Sequence, residues 1–459
     1  MKKTLFFAAA AIAMLASCSQ NDLEAPVVAQ SQQGDAIEFG TYLGKAATSR
    51  ALTPGGKTGE MTTDNLKNVS APEEAGFGVI AYSTGTSAWS SAKTTATPNF
   101  MYNEHVYWNG NPGTAWTYSP IKYWPNEFNT TAVDDQDSNA SDNPASGATA
   151  SGKVSFFAYA PYAGTVTQTD EDAVDGATVD NTPTGGVIKM SGNEYVGEPC
   201  VYYQFNSSAP VDLLWGARGN STGYNQAAGT DGGTSNTVNI DLVKQKTGET
   251  VDFDFKHRIS AIGGTAGLKA QVVPSNGSLS NTKVSITSVT IANNTTTNTY
   301  TCGTLNLATG VFTIDNTSST GAVAGPNVTY NTADIIADYA TVSTPADWSA
   351  VKGLSTTSAT AILQDGKVPM YFMPGATPKI TVTVTYKVYT QDTKLSAGWS
   401  EVEQTISKNI TFGSAVEYGK RYIILMKLGL EDVDFAASVS AWEDAASEVE
   451  VNLPINVSE

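Results

Sequence analysis

Apolar and polar positions alternate over short stretches along the whole chain, and this period of two predicts β-strands rather than helices. The first such stretch covers residues 36–43. Its mostly apolar face consists of Ile37, Phe39, Thr41 and Leu43. We therefore predict a short strand with one buried side near the start of the folded region.

The strongest alternation lies at the other end, in residues 448–457. Every odd position there is apolar: Val449, Val451, Leu453, Ile455 and Val457. Such a strand can complete a sheet in its own subunit or, by strand addition, in a neighbouring one. Pro454 removes one backbone donor and favours an edge position or a bulge. The pattern alone leaves both uses of the strand open.

Between these ends, strand-like runs form two groups. The first group has enough runs for one sandwich: residues 76–82, 116–123, 154–159, 211–215, 238–243, 251–262 and 284–291. The second group comprises residues 304–314, 368–373, 380–389, 404–412, 422–430 and 433–442. We therefore predict an all-β protein with two tandem β-sandwich domains, residues 51–297 and 298–447, the boundary lying anywhere from residue 245 to 300.

Composition narrows the function more than the fold. Charged residues make up 15% of the chain, and its formal net charge is −18. This excess of carboxylates repels nucleic acid and anionic lipid head groups, so we expect no nucleic-acid partner. The chain has 3 cysteines and 2 histidines, and none of them shows metal-ligand spacing. We therefore expect neither a metal site nor a cofactor.

The first eighteen residues have the layout of a lipoprotein signal peptide. Two lysines precede an apolar run over residues 5–15, which is short for a membrane span. Two small residues then stand directly before Cys18. We predict that residues 1–17 are removed and that Cys18 carries lipid, such as palmitate. Residues 18–35 are too polar to fold alone and are expected to form a tether.

A polar loop after the first strand contains an accessible basic residue. Residues 48–56 include Pro54 and two glycines, which are typical of exposed turns. Because proteases cut preferentially in exposed loops, the bond between Arg50 and Ala51 is a candidate cleavage site. Lys45 is a second candidate, closer to the strand.

Several motifs together resemble the fimbrillins, or type V pilins, over nearly the whole chain. The resemblance begins with the segment that ends at Cys18 and with the Arg50 site. It continues in five segments further on: residues 154–161, 212–217, 255–260, 418–422 and 439–442. The motifs are specific as a set rather than one by one.

The resemblance implies a pilin of two transthyretin-like β-sandwiches that reaches the cell outer membrane as a lipidated precursor. It also implies that an arginine-specific surface protease cuts after Arg50 and so removes residues 36–50 with their strand. The terminal segment 448–459 of another subunit would then fill the vacated groove. Subunits joined in this way form an extracellular fimbria that supports adhesion to host or bacterial surfaces and biofilm formation. Because the chain has both Arg50 and the terminal strand, a stalk subunit is favoured over a tip subunit.

A tip adhesin of the same fimbria is one alternative. Two further functions fit the sequence less well. A surface glycan-binding lipoprotein is suggested by crowded aromatic residues, although such residues are more often core. They are Trp89, Trp108, Trp116, Trp124, Tyr102, Tyr107, Tyr118 and Tyr123. An enzyme is not expected, because His257 lies between Lys256 and Arg258 in a strand and is expected to be packed rather than to serve as a catalytic base.

Overall fold

The computed structural model describes part of the chain. The described residues are 36–42, 61–67, 75–110, 116–124, 153–163, 187–190, 196–205, 210–218, 238–242, 250–273, 279, 281–294, 302–314, 327–374, 378–412, 414–429, 433–441 and 456–458. Within them the fold is all-β, which confirms the predicted class. No helix among these residues is long and apolar enough to cross a membrane.

Twenty-three strands occur in the described residues. They are β1 (Glu38–Tyr42), β2 (Phe77–Gly85), β3 (Met101–Trp108), β4 (Trp116–Thr117), β5 (Lys153–Ala160), β6 (Val187–Met190), β7 (Pro199–Gln204), β8 (Leu214–Arg218), β9 (Asn239–Leu242), β10 (Thr250–His257), β11 (Ser260–Ile262), β12 (Leu268–Val272), β13 (Thr282–Asn293), β14 (Cys302–Asn306), β15 (Phe312–Ile314), β16 (Asn327–Asn331), β17 (Thr360–Ala361), β18 (Met370–Phe372), β19 (Lys379–Gln391), β20 (Trp399–Thr411), β21 (Lys420–Leu428), β22 (Val433–Ala441) and β23 (Asn456–Ser458). Two single-turn helices, α1 (Thr63–Leu66) and α2 (Trp89–Ala92), and a 3-10 turn at Thr332–Asp334 complete the set.

The first sheet has eight strands in the order β1-β10-β8-β5-β2-β3-β4, with β9 beside β5. Every pairing in it is antiparallel except that of β1 with β10. Its central strand β5 is buried along its whole length. Because both of its faces are covered, β5 has an unbroken apolar run from Phe156 to Ala160 rather than an alternating pattern.

Three further sheets make up the rest of the fold. They are a four-stranded sheet, β15-β14-β7-β6; a six-stranded sheet, β17-β12-β21-β11-β18 with β22 beside β21; and a five-stranded sheet, β16-β13-β19-β20-β23. We call the eight-stranded sheet the first lobe and the six- and five-stranded sheets the second lobe. Sheet membership changes between His257 and Ser260. The β14–β15 hairpin then returns to pair with β7.

Buried side chains form two hydrophobic clusters. One fills the concave side of the first lobe and includes Ile37, Phe39 and Phe253. The other includes Phe157 on the opposite face of β5 and extends through the second lobe, for example to Val384. In the second lobe β19 alternates buried and half-exposed residues, as its period of two predicts.

Three predicted strands differ from the observed ones. Of residues 116–123 only Trp116–Thr117 is a strand, and the run 251–262 is divided between β10 and β11. Residues 304–314 form a hairpin because the chain reverses near Gly310, whose φ of +67° suits glycine. The sequence pattern also missed β3, β6, β7, β12, β16 and β17, most of which are short or interrupted by polar residues.

Candidate functional site

The first strand, β1, lies at the edge of the first sheet. It pairs in parallel with β10, from Glu38 opposite Thr250 to Tyr42 opposite Asp254. The other side of β10 is taken by β8, so within the described residues β1 is the strand that covers this edge. Strand β1 lies so close to β10 that a Cβ atom at Gly40 would be only 2.0 Å from Asp252 Oδ1. Glycine is the residue that fits this position without displacing the Asp252 side chain.

The inward side chains of β1 are central to the core of the first lobe. Ile37 is 1% exposed and Phe39 is 2% exposed, while Thr41 is half-buried. The Phe39 ring centroid lies 5.4 Å from that of Tyr118 and 6.0 Å from that of Phe253. It also lies 6.0 Å from Phe156 and 6.3 Å from Phe77. Taking β1 away would therefore open an apolar groove lined by aromatic rings.

The segment after β4 holds β1 from the side opposite to β10. Ile37 N donates a hydrogen bond to Lys122 O at 2.9 Å, and Ala36 forms a β-bridge with Tyr123. Tyr118 Oη donates to Ile37 O, also at 2.9 Å. Burial raises the pKa of Tyr118 to about 12, so its hydroxyl stays protonated and remains a donor at neutral pH. The strand is thus hydrogen-bonded on both sides.

The rim of this site combines exposed apolar groups with a half-buried acid, Glu104. Ile121 is 41% exposed and Tyr123 is 39% exposed. Burial raises the pKa of Glu104, and the charge of Lys122 acts in the opposite direction. A strand that replaced β1 would meet this mixed rim as well as the apolar groove.

The chain is anchored again at Met61, after the candidate cleavage site. Met61 is 3% exposed and its backbone N donates to Asp212 Oδ2 at 3.0 Å. The same Asp212 oxygen lies 2.8 Å from His257 Nδ1 at the end of β10. Met61 and Leu66 both belong to the core of the first lobe. A cut between Arg50 and Ala51 would therefore break the covalent link between β1 and this second anchor.

Several predicted site residues lie outside the described part of the chain. They are Cys18, Leu43, Arg50, Ala51, Val449, Val451, Leu453 and Ile455. Val457 is described as part of β23, where it stands opposite Ile410 of β20 in antiparallel pairing. The terminal strand thus begins to complete the five-stranded sheet of its own second lobe. The structure does not bring Val457 near β1.

The crowded aromatic residues do not form one exposed platform. Trp89, Trp116, Tyr118 and Trp124 are all buried. Trp116, Tyr118 and Trp124 pack in the cluster around Phe39, whereas Trp89 packs against Tyr82 and Phe157 on the other face of the sheet. Tyr102, Tyr107 and Trp108 are half-buried, and Tyr123 is exposed.

The two histidines are structural in their surroundings. His105 Nε2 donates to Ala75 O at 2.6 Å, and its ring stacks on Tyr162 at 4.0 Å. His257 is buried against Asp212, a partner 45 positions away that the sequence pattern does not reveal. Among the described residues no group of three or more His, Cys, Asp or Glu side chains could hold a metal ion. Cys200 is buried, and its thiol donates to Glu198 O at 3.7 Å.

The sequence pattern missed the residues that hold β1 in place. Tyr118 and Lys122 fall in a run predicted as a plain strand, and Met61 falls in a stretch without periodicity. Their contacts join positions 81 and 151 residues apart. The closeness of Tyr118 to Trp116 within an aromatic-rich run was the one available hint of a packed segment.

Comparison with known proteins identifies fimbrial relatives. No family model matches the chain. Over 413 residues the chain is 25% identical to the fimbrium subunit Fim1C of Phocaeicola vulgatus, a match that covers 85% of this chain and 87% of that protein. This finding confirms the resemblance drawn from the motifs, and the relative is named as a fimbrial subunit rather than an enzyme.

A solved structure supports the fold. The crystal structure of a fimbrial protein from Bacteroides vulgatus superposes with a TM-score of 0.56 at 20% identity. The superposition covers 89% of this chain and 99% of that structure. The described part of the chain therefore shares its all-β fold with that protein.

Proposed function

We propose that this fimbrillin-like chain is a structural subunit, of the stalk type, in a cell-surface fimbria. It is exported as a precursor that Cys18 holds to the outer membrane by lipid, and an arginine-specific surface protease cuts it after Arg50. Other pilin subunits are its partners, and the assembled fibre supports adhesion and biofilm formation. The observation that carries this proposal is the place of β1: an edge strand that fills the core and precedes a second anchor at Met61.

Loss of β1 leaves an exposed apolar groove and an unpaired strand edge that binding of another strand would cover. Burial of an apolar side chain contributes about 1.5 to 3 kcal/mol, so removal of Ile37 and Phe39 forfeits roughly 3 to 6 kcal/mol. The edge of β10 also loses its backbone partners, and unpaired backbone groups next to an apolar groove are costly. A subunit cut after Arg50 is therefore expected to be receptive to an incoming strand.

The terminal strand has the alternating apolar pattern needed to fill this groove. Residues 449–457 offer five apolar side chains on one face, against the two fully buried ones of β1. Full burial of five such side chains contributes on the order of 10 kcal/mol before ordering costs. Before cleavage β1 occupies the site, so polymerisation is blocked until the protease acts.

The attachment points on β10 suit a single cut. Tyr42 stands opposite Asp254, and Met61 is tied through Asp212 to His257. Three residues along a strand span roughly 10 Å, and residues 43–60 connect these points. Arg50 lies in this connection, so cleavage there releases β1 without cutting any strand of the sheet.

The test is assembly of the purified precursor after treatment with an arginine-specific protease. We expect the wild-type product to begin at Ala51 and to form ladders of oligomers that resist sodium dodecyl sulfate. The variant Arg50→Gln should remain whole and monomeric, whereas the control Lys45→Gln should assemble as the wild type does. A product that begins at Ala51 but stays monomeric would contradict the proposal.

A truncation tests the donor strand separately. A chain that ends at Ser447 should be cut after Arg50 but should form no ladder by itself. It should still accept the terminal strand of the wild-type protein and end the ladder at that point. Unimpaired assembly of the truncated chain would show that residues 448–459 are not the donor.

A further inference from the structure

Three motifs that strand exchange does not use meet where the lobes join. They are residues 212–217, 255–260 and 418–422. Arg258, the residue after β10, places its guanidinium carbon 4.0 Å from the centre of the Trp215 ring. On another side the same group lies 5.2 Å from the centre of the Tyr418 ring. One cation is thus shared by an aromatic residue of β8 and one that directly precedes β21.

The β14–β15 hairpin is hydrogen-bonded to both aromatic residues. Trp215 Nε1 donates to Leu307 O at 2.8 Å, and Phe312 N donates to Tyr418 Oη at 3.0 Å. A Cβ atom at Gly310 would lie 2.8 Å from Arg258 Nη2 and 2.9 Å from the Trp215 ring. The turn of the hairpin therefore sits directly against the Arg258–Trp215 pair.

Backbone contacts fix the same junction to the end of β10. Arg258 N donates to Leu213 O at 2.9 Å, and Ser260 Oγ donates to Glu417 O at 2.7 Å. A Cβ atom at Gly419 would lie 3.1 Å from His257 O. The connection that leads into β21 of the second lobe is thus held against the last residues of β10.

We propose that Arg258, Trp215 and Tyr418 form a latch that transmits tension from β10 to the second lobe. This inference rests on the proposed role of β10 as the acceptor strand. In such a fibre, tension enters a subunit at β10 and leaves through the terminal strand that follows the second lobe. The Arg258–Ile259 peptide bond is the covalent link at the junction, and the latch keeps the lobes packed while that link is pulled.

Stretching of assembled fibres tests the latch. The variant Arg258→Met keeps an apolar stem and removes the cation; Lys256→Met removes a neighbouring cation that is paired with Asp254 at 3.6 Å. We expect wild-type and Lys256→Met subunits to extend in one step. Arg258→Met subunits should extend in two steps, the first at lower force as the lobes separate. Equal step patterns and forces for Arg258→Met and Lys256→Met would overturn the proposal.

Hydrogen exchange on the uncleaved monomer separates this proposal from assembly. The contacts between the guanidinium and the two rings help to hold the hairpin in place, so exchange of the Phe312 amide should become about tenfold faster in Arg258→Met. The β1 amides should not change. If wild-type fibres never form but this acceleration is seen, the assembly proposal fails and with it the tension-bearing role, whereas the contacts of Arg258 still hold the junction together. An unchanged exchange rate of the Phe312 amide would refute the latch. If Arg258→Met does not fold, Arg258→Lys, which keeps the charge without the planar group, replaces it in the same measurement.

Discussion

The substitution Phe39→Ala tests whether β1 is both essential to the precursor and absent from the mature subunit. Phe39 is 2% exposed and contacts a ring on each of four neighbouring segments. Truncation of a buried phenylalanine to alanine costs about 3 to 5 kcal/mol, since the removed ring leaves a cavity. That is a large part of the stability of a typical folded protein, about 5 to 15 kcal/mol.

Urea unfolding of the uncleaved precursor, followed by circular dichroism, measures this loss. Glu38→Ala is the matched control, because Glu38 lies on the exposed side of the same strand. We expect the midpoint to fall for Phe39→Ala and to stay within the error for Glu38→Ala. A loss within about 0.5 kcal/mol, the size typical of an exposed position, would refute the central place of Phe39 in the core.

Cleavage supplies a second, internal control. The product that begins at Ala51 is chemically identical whether it comes from the wild type or from Phe39→Ala, so fibres of both must be equally stable. The variant should also assemble faster after cleavage, because the departing strand is held more weakly. Fibres that differ in stability would mean that residues 36–50 are retained in the assembled subunit.

Two pH profiles follow from the pKa shifts. Because burial raises the pKa of Tyr118 to about 12, the neutral hydroxyl stabilises the precursor below the ordinary value of 10.0, and this contribution is lost as the pH rises through 12. The melting temperature of Tyr118→Phe should therefore decline less steeply over this pH interval than that of the wild type. Parallel declines would contradict the role of the hydroxyl. Asp334 is partly buried, which opposes ionisation, but the hydrogen bond from Lys367 Nζ at 2.7 Å holds its pKa below the ordinary 3.8. The contribution of this ion pair to stability, about 1 kcal/mol, is present above pH 3.8 and is lost as the pH falls through the lowered pKa. In Asp334→Asn the melting temperature should therefore fall less steeply at acid pH. An unchanged fall would show that the ion pair adds nothing to stability.

Local pattern predicted many of the segments of this protein that become strands. The alternation in residues 36–43 and the apolar run from Phe156 to Ala160 in β5 follow from which faces must be buried, and each is readable from neighbours in the chain. The motifs determined the resemblance to fimbrial proteins in the same way. The breaks at Arg258 and Gly310 escaped the pattern because strand-like residues stand on both sides of each of them.

Only the tertiary structure decided which strands and side chains meet. The pairing of β1 with β10 joins residues 212 positions apart in register, and the contacts of Tyr118 with Ile37 and of Asp212 with His257 are similarly distant in sequence. A period of two tells that a side chain is buried but not against what, because strand pairing is selected by packing of the whole core. For this reason the sequence predicted a half-buried strand over residues 36–43, whereas the fold decided that the strand Glu38–Tyr42 closes an edge which another strand could occupy.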